Sequence, residues 1–224
     1  MKRHGKQARR GFTLIELLVV ITIIGILAGI VGVNLFDVLT RAEAKKAQSI
    51  FKAWATGVAN YKSEYKHLPP VLLQQEEGVP LLIGKDYPDD HGKFIAALSG
   101  REWDVTARRW TDLAKHRDQN RKNRLDFHTF QDEEFGADGY LADPWGGSKF
   151  RILSDRNNDG LIELQDAALT EILDALKVSH DADVVDAAKN KLGAIHADVA
   201  FYVLNEGEES ENVFSWDVEK YLEE

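Results

Sequence analysis

The sequence predicts an α+β chain. A long N-terminal helix, transmembrane in its first half and amphipathic in its second, precedes a smaller C-terminal β region with inserted helices. Three observations predict it. Residues 12–33 form an apolar run with a single charge, Glu16. Beyond it, Ala47, Ile50, Phe51, Trp54, Val58, Tyr61, Tyr65 and Leu68 recur at steps of three and four, a one-sided helical stripe. In the second half, a Pro-Trp-Gly-Gly turn signal at 144–147 precedes segments 149–153 and 199–204, which flank a stretch rich in Ala, Leu, Asp and Lys.

The expected organisation is a basic leader at 1–11, a transmembrane helix at 12–35, and its amphipathic continuation at 36–68. A variable αβ loop region at 69–139 and the C-terminal β region at 140–224 follow. With 44% hydrophobic and 29% charged residues the body reads as globular. The chain has no cysteine, which excludes disulfides, thiolate metal sites and cysteine nucleophiles. Five basic residues (Lys2, Arg3, Lys6, Arg9, Arg10) and no acidic one lie in 1–11, so removing that leader takes the net charge from -9 to -14. So acidic a body is a poor nucleic-acid binder.

The apolar run of 22 residues would span about 33 Å as a helix, enough for a hydrocarbon core of roughly 30 Å. The basic leader predicts a cytoplasmic N-terminus and a body across the membrane. A cleaved secretory signal fits less well, because the run exceeds a usual apolar core of roughly 7–15 residues. No proline precedes Pro69, so one helix of about 80 Å can run from 12 to 66. A carboxylate at the depth of Glu16 is costly and calls for a partner or a purpose.

A basic leader ending in Gly11, then Phe12-Thr13-Leu14-Ile15-Glu16 and a long apolar helix, resembles the type IV pilin and type II secretion pseudopilin family. The resemblance implies a prepilin peptidase that cuts between Gly11 and Phe12 and methylates Phe12. It also implies that Glu16, fifth in the mature chain, meets the new amine of a neighbouring subunit. A cation beside the carboxylate would make it tolerable in a low-dielectric bundle. One departure is Val33, where many members carry a helix-kinking proline; Gly25, Gly29 and Gly32 offer some freedom instead.

Residues 140–147, YLADPWGG, read locally as a turn: Pro144 fixes φ, Trp145 anchors and two glycines release the backbone. Asp-Pro-Trp-Gly is also the family's second landmark. By resemblance it leads into a small antiparallel sheet against the long helix, with Lys149–Leu153 first and Val199–Leu204 later. Glu211–Trp216 resembles the family's closing acidic stretch with tryptophan. Residues 166–196, which the simplest members lack, read as two short helices. Residues 69–140 are irregular, with turn signals at Gly78, Gly84, Tyr87–Asp90 and Gly100. Within them, 101–124 hold eight Arg/Lys against four Asp/Glu with Trp103 and Trp110, and read as the solvated face of an inserted helix, with a nucleic-acid or lipid-headgroup patch as the alternative.

DRNNDGLIELQD, residues 155–166, fits a twelve-residue calcium loop. Oxygen side chains stand at positions 1, 3 and 5 (Asp155, Asn157, Asp159), with Gly160 at the sharp turn and Ile162 placed to pair as a short strand. Leu161 would offer its carbonyl, Glu163 a direct or water-mediated oxygen, and Asp166 closes the ring, where glutamate is usual. A polar β-turn needing no ion is the plain alternative. Resemblance suggests a second place for calcium, around Leu204, Glu206 and Glu211.

There is no phosphate loop, no His-Glu-x-x-His, no Gly-x-Ser-x-Gly and no ligand spacing among the seven histidines, so no enzyme is expected. The resemblance implies a non-enzymatic subunit of a type II secretion pseudopilus that drives protein export. Its partners would be prepilin peptidase, copies of itself, other pseudopilins and the inner-membrane assembly platform. It would be a single-pass inner-membrane protein with a periplasmic domain, extracted into the filament. The alternatives are a pilin of a surface type IV pilus or DNA-uptake machine, and a signal-anchored calcium-binding periplasmic domain that never polymerises.

Overall fold

Helix α1 (Leu14–Tyr65) is unbroken over 52 residues, as the absence of proline permits. A computed structural model describes residues 13–112, 125–204 and 211–223, without the side chains of Ala28 and residues 30–37. The chain divides into two units, Met1–Arg41 and Ala42–Glu224. In the first, the apolar side chains from Leu14 to Leu27 are exposed, Leu14 to 88% and Leu27 to 55%. Among the described residues no helix is long and apolar enough to cross a membrane.

In the second unit the amphipathic stripe meets its partner. Ala47, Phe51, Trp54, Val58 and Tyr61 are all buried. The helix closes at Lys66, whose φ of 65° is left-handed, and Pro69-Pro70 then lead into a 3-10 turn at Pro70–Leu73.

Four strands form one sheet in the order β1 (Leu81–Gly84), β4 (Lys149–Ser154), β7 (Val199–Val203), β8 (Val213–Phe214), every pair antiparallel. Ile152 pairs with Phe201, Leu153 with Ala200 and Tyr202 with Phe214. Alternation along the strands sends Phe150, Ile152, Val199, Phe201 and Val203 to a core shared with α1. Within it the Trp54 ring centroid lies 5.3 Å from Phe150 and 5.7 Å from both Phe94 and Phe201. Leu153, Ala200, Tyr202 and Phe214 point the other way into a second core. Strand β7 is therefore buried along its whole length, unlike an antiparallel strand with one wet face.

The second core is built by the insert, which holds three short helices where the sequence suggests two. These are α3 (Asp166–Leu176), α4 (Ala182–Ala187) and α5 (Lys189–Leu192). Asp181 caps α4 by accepting the Asp183 N–H and so starts a new segment. A two-strand ladder of β5 (Ile162–Glu163) and β6 (Ala194–Ile195) ties the insert's ends, Ile162 opposite Ile195, as position 8 of the loop predicts. The terminal helix α6 (Glu219–Leu222) adds Tyr221 and Leu222 to this core.

Two readings of the middle region are corrected. Tyr87–Asp90 is not a free turn but the start of α2 (Pro88–Ser99), with proline in its first turn and Asp89 and Asp90 at the positive end of the dipole. Gly100, φ 64°, closes it. The described part of the basic stretch is not helical: β2 (Glu102–Asp104) and β3 (Arg109–Thr111) form a hairpin. Trp103 pairs with Trp110 across it, and Asp104 Oδ1 accepts the Thr106 and Ala107 N–H groups. A cross-strand tryptophan pair outweighs helical propensity over so short a segment. Residues 113–124 lie outside the described residues.

Candidate functional site

Three places carry the residues singled out by sequence. At the N-terminus, Gly11 and Phe12 lie outside the described residues. Glu16 sits in the first turn of α1 and is exposed. Its Oε2 accepts the Thr13 N–H and the Thr13 hydroxyl, both at 2.8 Å, while Thr13 Oγ1 accepts the Glu16 N–H at 3.3 Å. This is a reciprocal capping box, Thr-x-x-Glu, which satisfies two donors of the helix start. It was legible in the sequence as Thr13-Leu14-Ile15-Glu16. In the single chain, Glu16 thus already has local work.

The Asp143-Pro144-Trp145-Gly146-Gly147 turn holds itself together before β4. Asp143 Oδ1 accepts the Trp145 N–H at 2.9 Å and the Gly147 N–H at 2.8 Å. Gly146 has φ 85°, a conformation glycine adopts without strain. The Trp145 ring packs on the first core.

The 155–166 loop connects β4 to α3 by way of β5. Asp155 is 1% exposed. Its Oδ1 accepts the Asn158 N–H at 2.7 Å and the Asp159 N–H at 3.3 Å, and its Oδ2 the Gly160 N–H at 2.8 Å. Asn157 Oδ1 accepts the Asp159 N–H at 2.9 Å and Asp159 Oδ1 the Leu161 N–H at 2.8 Å. Asn158 (φ 64°) and Gly160 (φ 84°) make the two left-handed steps that fold the chain around Asp155. Asp155, Asn157 and Asp159 are thereby drawn onto one small turn. Glu163 on β5 and Asp166 in the first turn of α3 are both exposed. Among the described residues, no three His, Asp or Glu side chains group closely enough to hold a metal ion.

Sequence reasoning missed Glu77. The 75–78 segment lies across the loop: Gln165 donates its N–H to the Gly78 carbonyl at 3.3 Å, and the Arg156 guanidinium binds the Gln75 carbonyl. Gly78, φ 74°, approaches Glu163 so closely that a Cβ would collide with its carbonyl. The Glu77 Oε1 is buried with no hydrogen-bond partner. Burial first, then the charges of Asp155 and Asp159, push the Glu77 carboxyl above its ordinary range. No local pattern signals a residue 78 positions before Asp155; only folding brings it there. The donors are all oxygen and in excess of negative charge, which suits a hard divalent cation.

Of the second suggested calcium place, Leu204 is half-buried and Glu211 exposed. Glu206 lies outside the described residues.

Comparison with known proteins agrees with the N-terminal features. Residues 6–32 match the model of the prokaryotic N-terminal methylation motif. The chain is 38% identical over 106 residues to type II secretion system core protein G of Klebsiella michiganensis, covering 44% of this chain and 70% of the relative. It is 32% identical over 105 residues to the protein of that name from Klebsiella pneumoniae, covering 43% and 71%. The Dickeya chrysanthemi protein is 33% identical over 106 residues, covering 44% and 65%. No solved structure matches the chain. A methylation motif leading into a 52-residue helix, ahead of an α+β domain, thus coincides with similarity across 70% and 71% of the two Klebsiella relatives, and the chain belongs to the type II secretion system core protein G family of pseudopilins.

Proposed function

We propose that prepilin peptidase cuts this chain between Gly11 and Phe12 and methylates Phe12, and that the mature protein polymerises through α1 into a periplasmic pseudopilus for protein export. The observation that carries the reading is the methylation motif running directly into a helix whose apolar side chains, Leu14 to Leu27, are exposed. Exposed apolar surface on that scale needs cover. Lipid supplies it before assembly, with residues 12–35 spanning the inner membrane; neighbouring helices supply it in the filament. Glu16 then exchanges its cap partner for the Phe12 amine of a neighbour. Other pseudopilins and the inner-membrane assembly platform complete the partner set. The test is mass analysis of the mature N-terminus in cells. N-methyl-Phe12 is expected, and an intact Met1 would refute processing.

The acidic loop supports a second, separable part of the proposal, a calcium ion that staples it. Asp155, Asn157, Asp159, the Leu161 carbonyl, Glu163 and Asp166 would hold the ion, and Glu77 would approach from across the loop. The orphaned Oε1 of Glu77 favours this over a turn that needs no ion. Calcium at about 100 times its dissociation constant would add about 2.7 kcal/mol of stability. The melting temperature of the full chain in detergent should therefore rise with calcium. Asp159→Asn with Glu163→Gln should abolish that rise while leaving the calcium-free melting temperature near the parent value. A rise that survives both substitutions would remove the site.

A further inference from the structure

The insert and the outer face of α1 carry opposite charges on opposite sides of the same sheet. Between residues 38 and 60, α1 holds four basic residues (Arg41, Lys45, Lys46, Lys52) and one acidic, Glu43. Lys45, Lys46 and Lys52 are exposed, and among the described residues none of the three is in an ion pair. Lys45 and Lys52 stand seven residues apart, so they fall in one column along the helix. They face away from the stripe of Ala47, Phe51, Trp54 and Val58 that packs on the sheet.

The insert shows the reverse sign. Residues 166–187 hold six Asp/Glu and a single Lys177. Lys177 is taken by Asp186 at 2.6 Å, and Glu171 is taken by Arg151 at 2.6 Å. Asp174, Asp181 and Asp183 remain exposed around the junction of α3 and α4. Both patches are tied to β8. Gln48 Nε2 donates to the Phe214 carbonyl at 3.3 Å from the α1 side. Asn212 Nδ2 donates to the Ala175 carbonyl at 2.9 Å from the insert side. The two elements therefore cover opposite faces of the sheet beside its β8 edge.

We infer that the Lys45–Lys52 column of one subunit docks on the Asp174–Asp183 surface of a second copy. Two different patches of identical chains make a heterologous contact, and such a contact propagates head to tail into an open filament instead of closing a dimer. The occupant is a second copy because the complementary surface is already present on the chain, at a matching level of the domain. The insert thereby acquires a role, turning the outer side of the sheet into a specific subunit contact. This rests on the proposed polymerisation and names the surfaces that guide it.

The chain has no cysteine, so a single introduced pair reports without background. Full-length chains carrying both Lys45→Cys and Asp183→Cys should form a ladder of disulfide-linked multimers in assembling cells; either substitution alone should give dimers at most. Reversing one side, with Lys45→Glu and Lys52→Glu or with Asp174→Lys and Asp183→Lys, should lower filament yield about tenfold; reversing both should restore it to within about twofold. Melting temperatures of the variants check that each still folds. Filaments from the unmutated chain, with no ladder from the cysteine pair and no rescue by the double reversal, would overturn the contact while leaving polymerisation standing. Loss of binding to phosphatidylglycerol vesicles in the Lys variants, again without rescue, would assign the column to a membrane surface and overturn it as well. Absence of any filament from the unmutated chain would remove the proposed function and this contact together.

Discussion

Two stretches of one helix, 14–27 and 47–61, are treated in opposite ways. The first is apolar all round and leaves its side chains exposed; the second is amphipathic and buries Ala47, Phe51, Trp54, Val58 and Tyr61 of its apolar stripe. Both stretches are helical without interruption, so backbone propensity does not distinguish them. What differs is whether the chain carries its own partner. The domain core supplies one for Phe51, Trp54 and Val58, whereas Leu17 and Ile24 stay more than half exposed. Hydrophobicity at the second stretch is a folding term; at the first, under the proposed polymerisation, it is an association term.

Paired truncations test that division with the largest expected effect. Trp54 is 1% exposed, contacts four aromatic rings from three other elements and a loop, and donates from Nε1 to Glu134 Oε2 at 2.6 Å. Trp54→Ala should cost about 3–5 kcal/mol through the cavity and the lost hydrogen bond to Glu134. Leu17 is 56% exposed. Leu17→Ala should change domain stability by less than about 0.5 kcal/mol while weakening filament assembly. Urea unfolding of both variants gives the answer, and equal losses would erase the distinction.

A smaller effect comes from the domain side of the comparison. His91 on α2 is 1% exposed, and its Nε2 accepts the Leu141 N–H at 3.0 Å. Burial lowers its pKa to about 4, with Asp138 pulling weakly the other way. The folded state therefore binds the proton less well than the unfolded chain does, whose histidines titrate near 6.5. The contribution is full above about pH 6.5 and is lost as pH falls toward 4, by about 3 kcal/mol. His91→Gln keeps an acceptor for Leu141 and removes the titration, so its stability should fall less between pH 7 and pH 4. An unchanged slope would show that His91 is not the group responsible.

The two stretches also mark how far sequence carried. Periodicity gave α1 and its buried face because each helical turn repeats the same decision. The strands at 149–153 and 199–204 were legible only through the family resemblance, because a strand covered on both faces carries no polar alternation of its own. Reading failed where one residue type serves two ends. Pro88 starts a helix as readily as it makes a turn, and Asp89-Asp90 suit either. Trp103 and Trp110 were counted with their basic neighbours, although their pairing across a hairpin decides the local structure. Glu77 was out of reach, because its place beside Asp155 depends on the 3-10 turn and β1 being docked first.

The smallest effect concerns Glu16, where the two kinds of partner compete for one carboxylate. In the single chain the Thr13 hydroxyl and N–H hold Glu16 Oε2; in the proposed filament the Phe12 amine of a neighbour would take it. Thr13→Ala removes the hydroxyl half of the cap and should cost the helix start about 1 kcal/mol. Amide exchange at residues 14–17 would then quicken about fivefold. If the cap restrains the carboxylate, the same variant should assemble at least as well as the parent, because Glu16 is released. Glu16→Ala loses the cap as well, yet it should assemble poorly. Opposite signs in assembly with the same sign in helix fraying would separate the two roles. Matching losses in assembly would mean that Glu16 matters only as the cap of its own helix.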